Sequence, residues 1–166
     1  MKELLAKEKV DAIIIGSPNF FHLENLQDLK GLTIPVLLEK PLEATWEKIC
    51  DVVRFCREYK GKVLIGHCMR YAPVLVKAKE MILNNMLGEI GSASFVQYCH
   101  YGNGMYHTWR REMKNGGGMM IEKATHDIDV MQWLLNSKVK SVVSSGRLVA
   151  FGGNEPSDLH CQDCEK

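Results

Sequence analysis

Glu122 and His126 stand four residues apart in Gly116-Gly117-Gly118-Met119-Met120-Ile121-Glu122-Lys123-Ala124-Thr125-His126, the spacing that puts two side chains on one face of a helix. A carboxylate and an imidazole on one face are the parts of an oriented base. The imidazole titrates near neutrality, and a carboxylate neighbour favours its protonated form. A single helical histidine is also a common capping or core-edge residue, so both readings stay open for His126. Upstream, the apolar run Val36-Leu37-Leu38 closes on Glu39-Lys40-Pro41. A lysine in such a loop can hydrogen-bond an oxygen and stabilise negative charge growing on it, or it can form an ordinary surface pair with Glu39. Earlier still, Ser17-Pro18-Asn19 stops another apolar run, with His22 three residues on. Asn19 is a natural N-cap for the helix that follows. Near the far end, Cys161-Gln162-Asp163-Cys164 has the spacing of half a zinc site or of a redox pair. No other Cys-x-x-Cys or His-x-x-His exists to complete it, and no metal is expected.

The elements that must hold these residues follow from periodicity. Ala12 to Gly16 is a continuous, largely β-branched run, the pattern of a strand buried on both faces in a parallel sheet. Phe21, Leu23, Leu26 and Leu29 then recur at helical spacing until Gly31. The cycle repeats with a strand at Pro35 to Leu38 and a helix lined by Trp46, Ile49, Cys50, Val53 and Cys56, with Thr45 as its cap. A third strand is expected at Lys62 to Gly66. Strands alternating with helices at this spacing make right-handed βαβ units, and ligands of such sheets lie at the carboxyl ends of the strands. Ser17 to Asn19, Glu39 to Pro41 and His67 onward all leave strands at that edge.

After Tyr71-Ala72-Pro73 the pattern changes. A helix passes through Leu75, Ala78, Met81 and Ile82, partial alternation covers Ser92 to Tyr101, a helix spans Met119 to Leu135, and Lys138 to Ala150 reads as a long strand. Two units are expected, residues 1–72 and residues 73–166, the second in α+β style and unfinished, since nothing after its long strand could pair with it.

Composition narrows the class. The 166 residues carry 46% hydrophobic and 25% charged side chains, near the globular average, which excludes disordered and fibrous chains. Twenty-one basic against twenty acidic residues leave a net charge of +1, no field to concentrate nucleic acid. No apolar stretch approaches the roughly 20 residues of a membrane span. The six scattered cysteines read as reduced thiols, and the chain is placed in the cytoplasm.

Taken in order, the Pro-Asn loop, the Glu-Lys-Pro loop and the triple-glycine helix resemble the glucose-fructose oxidoreductase and inositol dehydrogenase family (Gfo/Idh/MocA), over about Asp11 to Ala150. The resemblance implies an α/β fold: the second half of a Rossmann-like parallel sheet, followed by an incomplete α+β substrate domain. It implies NAD or NADP as cofactor, with Ser17, Pro18, Asn19 and His22 near the nicotinamide ribose. Lys40 would lie beside the nicotinamide and the reacting carbon, with Glu39 orienting the lysine or the ribose. His126 would take the substrate hydroxyl proton as hydride leaves. Glu122 stands where the family commonly has Asp, and Lys123 where it has an uncharged residue, so the extra methylene moves the carboxylate. His67-Cys68-Met69-Arg70-Tyr71-Ala72-Pro73 resembles the family's domain junction, in which Arg70 reaches cofactor or substrate or else forms a structural salt bridge. Tyr106, His107, Trp109 and Arg110 fall in a loop that faces substrate in such enzymes.

The implied substrate is a small molecule, a sugar, cyclitol or relative, with no nucleic acid or membrane partner. The Gly-x-Gly-x-x-Gly turn that holds the cofactor pyrophosphate is not among these residues. The chain is therefore expected to be truncated at both ends, with its first strand an open edge that pairs with something, a second copy included. The alternative is an inactive family fragment serving as an interaction module.

Overall fold

The computed structural model describes residues 1–99, 105, 108–147 and 159–163. Tyr106, His107 and Cys164 lie outside the described residues, so the readings placed on them go no further. In chain order come α1 (Lys2–Lys7), β1 (Ile13–Ile15), a 3-10 turn (Asn19–Phe21), α2 (His22–Gln27), β2 (Val36–Leu38), α3 (Trp46–Glu58) and β3 (Val63–Ile65). A 3-10 turn (Cys68–Tyr71) then leads to α4 (Pro73–Leu83). After it come a 3-10 turn (Trp109–Arg111), α5 (Met113–Gly116), a π-helical turn (Met120–Ala124), α6 (Thr125–Leu135) and a 3-10 turn (Cys161–Asp163).

The three β-branched runs form one parallel sheet in the order β1-β2-β3. Ile13, Val36 and Val63 lie in register, as do Ile15, Leu38 and Ile65. These residues share one face, where Ile15, Val36 and Leu38 pack with Leu26 and Leu29 from the α2 region and Val52 of α3 to make the core. The other face carries Ile14, Leu37 and Leu64, one from each strand in register, and is left open: Ile14 is 71% and Leu64 59% exposed. The reading of strands buried on both faces therefore holds for one face only among the described residues.

Thr45 caps α3 as expected, its side chain accepting from the Lys48 N–H at 3.5 Å. The face α3 turns inward differs from the expectation. Val52 is buried with Phe55 and Cys56 against it, whereas Trp46 and Val53 are exposed. Phe55 stacks on Tyr59 with ring centres 5.1 Å apart, and the Tyr59 hydroxyl donates to Ile34 O at 2.7 Å. That anchor turns the helix so that Val52, not its neighbour, meets the sheet.

Pro73 opens α4 at a position where no N–H is needed. Lys79 then ties α4 to α6, its ammonium donating to the carbonyls of Trp133 (2.6 Å) and Leu134 (3.2 Å) at the helix end. The helix expected at Met119 to Leu135 forms, but begins as a π turn. The long strand expected at Lys138 to Ala150 is absent over residues 138–147, and residues 148–150 lie outside the description. Val142 and Val143 are exposed there and no described strand pairs with the segment. Propensity without a ladder partner does not make a strand. Among the described residues no helix is long and apolar enough to cross a membrane.

Candidate active site

Glu122 is the hub at the carboxyl edge of the sheet. It is 3% exposed, and it draws three elements together. From the β1–α2 loop Asn19 donates through Nδ2 to Glu122 Oε1 at 2.8 Å and to Gly116 O at 3.3 Å. From the β2–α3 loop Lys40 donates through Nζ to the Glu122 backbone oxygen at 3.0 Å and to Oε2 at 3.3 Å. Arg110 Nε lies 3.4 Å from Oε1, its guanidinium 4.3 Å from the Trp109 ring centre, and Phe20 meets Trp109 edge-on. Burial pushes the Glu122 carboxyl up, but the Asn19 hydrogen bond, the Lys40 charge and bond, and the Arg110 charge outweigh it and hold the group below its ordinary range. Asn19 is thus no helix cap: neither Pro18 nor Phe21 at the starts of the turn and α2 makes a side-chain cap bond, and the Leu23 N–H of α2 donates instead to Glu43 Oε1 at 3.3 Å.

The glycine run lets this closure happen. A Cβ on Gly117, whose φ is +74°, would lie 2.6 Å from Ala44 O, and one on Gly116 would lie 2.7 Å from Arg110 O. Only glycine accepts both the left-handed backbone and the close approach. The segment therefore seats on the β2–α3 loop and brings Glu122 to Lys40.

Glu122 and His126 do not form the expected pair. Glu122 is engaged by Asn19, Lys40 and Arg110, and the π turn between the two residues widens the helix and alters the angle an α-helical i, i+4 spacing would give. Nor does a carboxylate hold His126 protonated. Burial first, then the charges of Lys40, His67 and Lys123, lower its pKa against the raising pull of Asp127, the direction that favours the neutral ring.

The remaining candidates divide. Ser17 Oγ accepts from Asn25 Nδ2 at 2.7 Å, and Pro18 leads into the 3-10 turn, its carbonyl accepting from Phe21 N–H at 2.9 Å. His22, expected beside the ribose, is fully buried, with Nδ1 2.9 Å from Pro41 O and Nε2 2.9 Å from Ser17 O. Both ring nitrogens face backbone carbonyls, to one of which the ring N–H donates, so the ring packs between the two loops and turns no nitrogen toward a ligand. Glu39 is exposed beside Gly66 and pairs with no described residue. Lys40 precedes a cis Lys40–Pro41 bond. Arg70 is held by Asp129 in a bidentate pair, Nε to Oδ2 at 2.8 Å and a terminal nitrogen to Oδ1 at 2.6 Å. It is the junction salt bridge, and that hydrogen-bonded partner raises its pKa further.

Two residues of this edge carry no role in the sequence reading although its motifs contain or adjoin them, His67 and Asp129. His67 follows β3 by two positions, and Asp129 lies one helical turn beyond His126.

Comparison with known proteins places the chain. The sequence model described as "Oxidoreductase family, NAD-binding Rossmann fold" matches residues 1–67, and that described as "GFO/IDH/MocA C-terminal domain" matches residues 75–159. The rhizopine catabolism protein MocA of Rhizobium meliloti is 25% identical over 94% of this chain and 48% of its own. The WlbA dehydrogenase of Bordetella pertussis, solved with NADH and UDP-GlcNAcA, superposes with TM-score 0.63 at 24% identity, over 81% of this chain and 40% of its own. Myo-inositol 2-dehydrogenase of Lactobacillus plantarum gives 0.65 at 21% identity, with the same 81% and 40% coverage. The chain spans 36% to 48% of the length of relatives such as these that match most of it. With an α/β parallel sheet of the Rossmann type and both family regions present, the chain belongs to the Gfo/Idh/MocA oxidoreductase family.

Proposed function

We propose that this chain carries the reacting edge of an NAD(P)-dependent oxidoreductase that moves hydride between the nicotinamide and a hydroxyl-bearing carbon of a small molecule of the sugar or cyclitol class. The observation that carries the reading is Lys40, which the buried Glu122 holds at the sheet edge through its backbone and side-chain oxygens. A lysine ammonium has three N–H donors. Glu122 takes two of them, so the third is left for a substrate oxygen.

The residues present suit the nicotinamide end of such a cofactor. Two imidazole Nδ1 atoms, of His126 and His67, are buried without a hydrogen-bond partner, and Lys40 keeps a free donor. The Ser17–Asn19 loop, Glu39 and Lys40 would hold that end, which supplies the hydride acceptor. For alcohol oxidation His126, neutral through burial and the nearby Lys40 charge, accepts the hydroxyl proton. Lys40 holds the oxygen and stabilises its developing negative charge. Glu122 and Asn19 fix the lysine. In the reverse direction the same imidazole returns the proton.

Residues 1–72 would be the cofactor-side unit and 73–166 the substrate side, working in the cytoplasm, where Cys50, Cys56, Cys68 and Cys99 stay reduced, with homo-oligomerisation as a further element of the reading. The experiment is nicotinamide reduction on a panel of sugars and cyclitols with the wild-type chain, Lys40→Met and His126→Ala. Turnover lost in both variants supports the reading, and turnover unchanged in either refutes it. A second reading, a non-catalytic interaction module, is favoured by the open Ile14–Leu37–Leu64 face. It predicts that Leu64→Glu weakens self-association or partner capture while Lys40→Met leaves it intact.

A further inference from the structure

A cavity of about 470 Å³ opens where α4 and the end of α6 meet the Cys68–Tyr71 turn, and it shares no lining residue with the Lys40–Glu122 cluster. Its cations are Arg70 from the turn, Lys79 from α4 and Lys138 from the segment after α6, and no carboxylate lines it. Two of the three are already fixed in place. Arg70 is held through Nε and one terminal nitrogen by Asp129, at 2.8 and 2.6 Å, and its other terminal nitrogen has no hydrogen bond among the described residues. Lys79 spends two donors on the Trp133 and Leu134 carbonyls and keeps the third. Its ammonium also sits over the Trp133 ring, 5.8 Å from the centre.

Charge favours an anion here. Asp129 balances Arg70, whereas Lys79 and Lys138 have no carboxylate partner among the described residues. The carbonyl end of a helix repels an anion, but Lys79 covers two of those carbonyls and the Ser137 N–H covers that of Gln132 at 3.2 Å. Donors that are already held lose little freedom when a ligand arrives. A guanidinium beside an ammonium suits the oxygens of a phosphate.

Size narrows the ligand. The cavity falls in the range of roughly 300 to 1,000 Å³ typical of small-molecule sites, which is more room than a bare phosphate fills. The rest of its wall includes Gln132, Asn136 and Ser137, whose side chains make no hydrogen bond among the described residues, and Trp133. Two amides and a hydroxyl can both donate to and accept from hydroxyl groups, and an indole supplies apolar surface for the carbons that bear them. We propose that this cavity binds a phosphate monoester of a small polyhydroxyl molecule, with Arg70, Lys79 and Lys138 on the phosphate and Gln132, Asn136 and Ser137 on the hydroxyls. The site stands apart from the hydride-transfer reading and does not depend on it.

The test is nitrogen-proton NMR of the 166-residue chain in phosphate-free buffer at fixed ionic strength, titrated in turn with D-glucose 6-phosphate, inorganic phosphate and D-glucose. The proposal expects saturable shifts centred on residues 132–138 with the ester, weaker binding of inorganic phosphate and no response to glucose. Lys138→Ala and Lys79→Gln should each weaken the ester by about threefold or more. Lys140→Ala removes an equal charge from an exposed position outside the cavity and should leave the affinity unchanged. No saturable response to the ester overturns the proposal, as does equal weakening by Lys140→Ala, which would mean attraction to surface charge alone. Inorganic phosphate binding as tightly as the ester overturns the assignment of the hydroxyl contacts. Should Lys79→Gln not fold, the exposed pair Lys138→Ala and Lys140→Ala decides. Failure here leaves the oxidoreductase reading standing, and failure of nicotinamide binding leaves this result untouched.

Discussion

Replacing Glu122 with alanine should cost the fold about 3 kcal/mol. Truncating one member of a buried ion pair typically costs about 3 to 5 kcal/mol, because the surviving charge is left without a partner. Here the survivors are not equally trapped. Lys40 is 17% exposed and Arg110 37%, so both recover some water once the carboxylate is gone, which brings the figure to the low end. Asn19 keeps its bond to Gly116 O and loses only the stronger one to Oε1. For a chain of this length, about 3 kcal/mol corresponds to roughly 6 to 12 °C in Tm. Glu122→Gln keeps the volume and an oxygen for Asn19, but no longer accepts as an anion from Lys40, and should cost about 1.5 kcal/mol. Urea unfolding followed by tryptophan fluorescence measures both. A double-mutant cycle with Lys40→Met should give a coupling of about 1 to 2 kcal/mol. A loss below about 1 kcal/mol for the alanine variant, or additivity in the cycle, would refute Glu122 as the tie between the sheet edge and the helix.

The two imidazoles give a pH signature with a fixed sign. His67 and His126 both have folded pKa values below the ordinary 6.5, so the unfolded chain binds more protons and stability rises with pH through that window. It is complete above the unfolded value and lost on acidification. Glu122, also lowered, acts the same way further down, its contribution present above its ordinary 4.5. Asp127, raised by burial, opposes weakly, its contribution being lost as pH rises through its folded value. The urea midpoint should therefore be lower at about pH 5.5 than at about pH 7.5, and an equal or higher midpoint contradicts this. Gly117→Ala should lose about 2 kcal/mol or more, from the positive φ and from the Ala44 carbonyl 2.6 Å from the new Cβ, and thermal unfolding at wild-type Tm would count against the close approach. Val52→Ala should cost about 2 kcal/mol and Val53→Ala under about 0.5 kcal/mol; the reverse order in denaturant unfolding would mean α3 is rotated from the face described.

The strands were legible because β-branched runs bounded by Pro, Gly and Asn leave little choice, and Thr45 because capping is a local bond. What the chain concealed was long-range or ambiguous. Val52 and Val53 satisfy a helical period equally well, and the anchor that decides between them, Tyr59 on Ile34, lies 25 residues apart. Asn19 reads locally as a cap, whereas its partner Glu122 is 103 residues away. The spacing of Glu122 and His126 assumes an α-helix, and the π turn removes that assumption. Arg70 and Asp129 meet across 59 residues. The long strand at 138–150 failed over its described part because β propensity expresses a partner that the sequence alone does not supply. The family motifs marked loops that the structure brings together at Glu122, while leaving open which side chains in them face outward: His22 is turned inward, and His67 was named without a role.

The central claim, that Lys40 and its neighbours form the nicotinamide end of a cofactor site, is tested most directly by titrating the chain and its Lys40→Met variant with NADH and NADPH, following nicotinamide fluorescence. The account predicts a saturable change with at least one of the two for the wild type, weakened or lost in the variant. No saturable response to either nucleotide, or an identical titration in Lys40→Met, would contradict it.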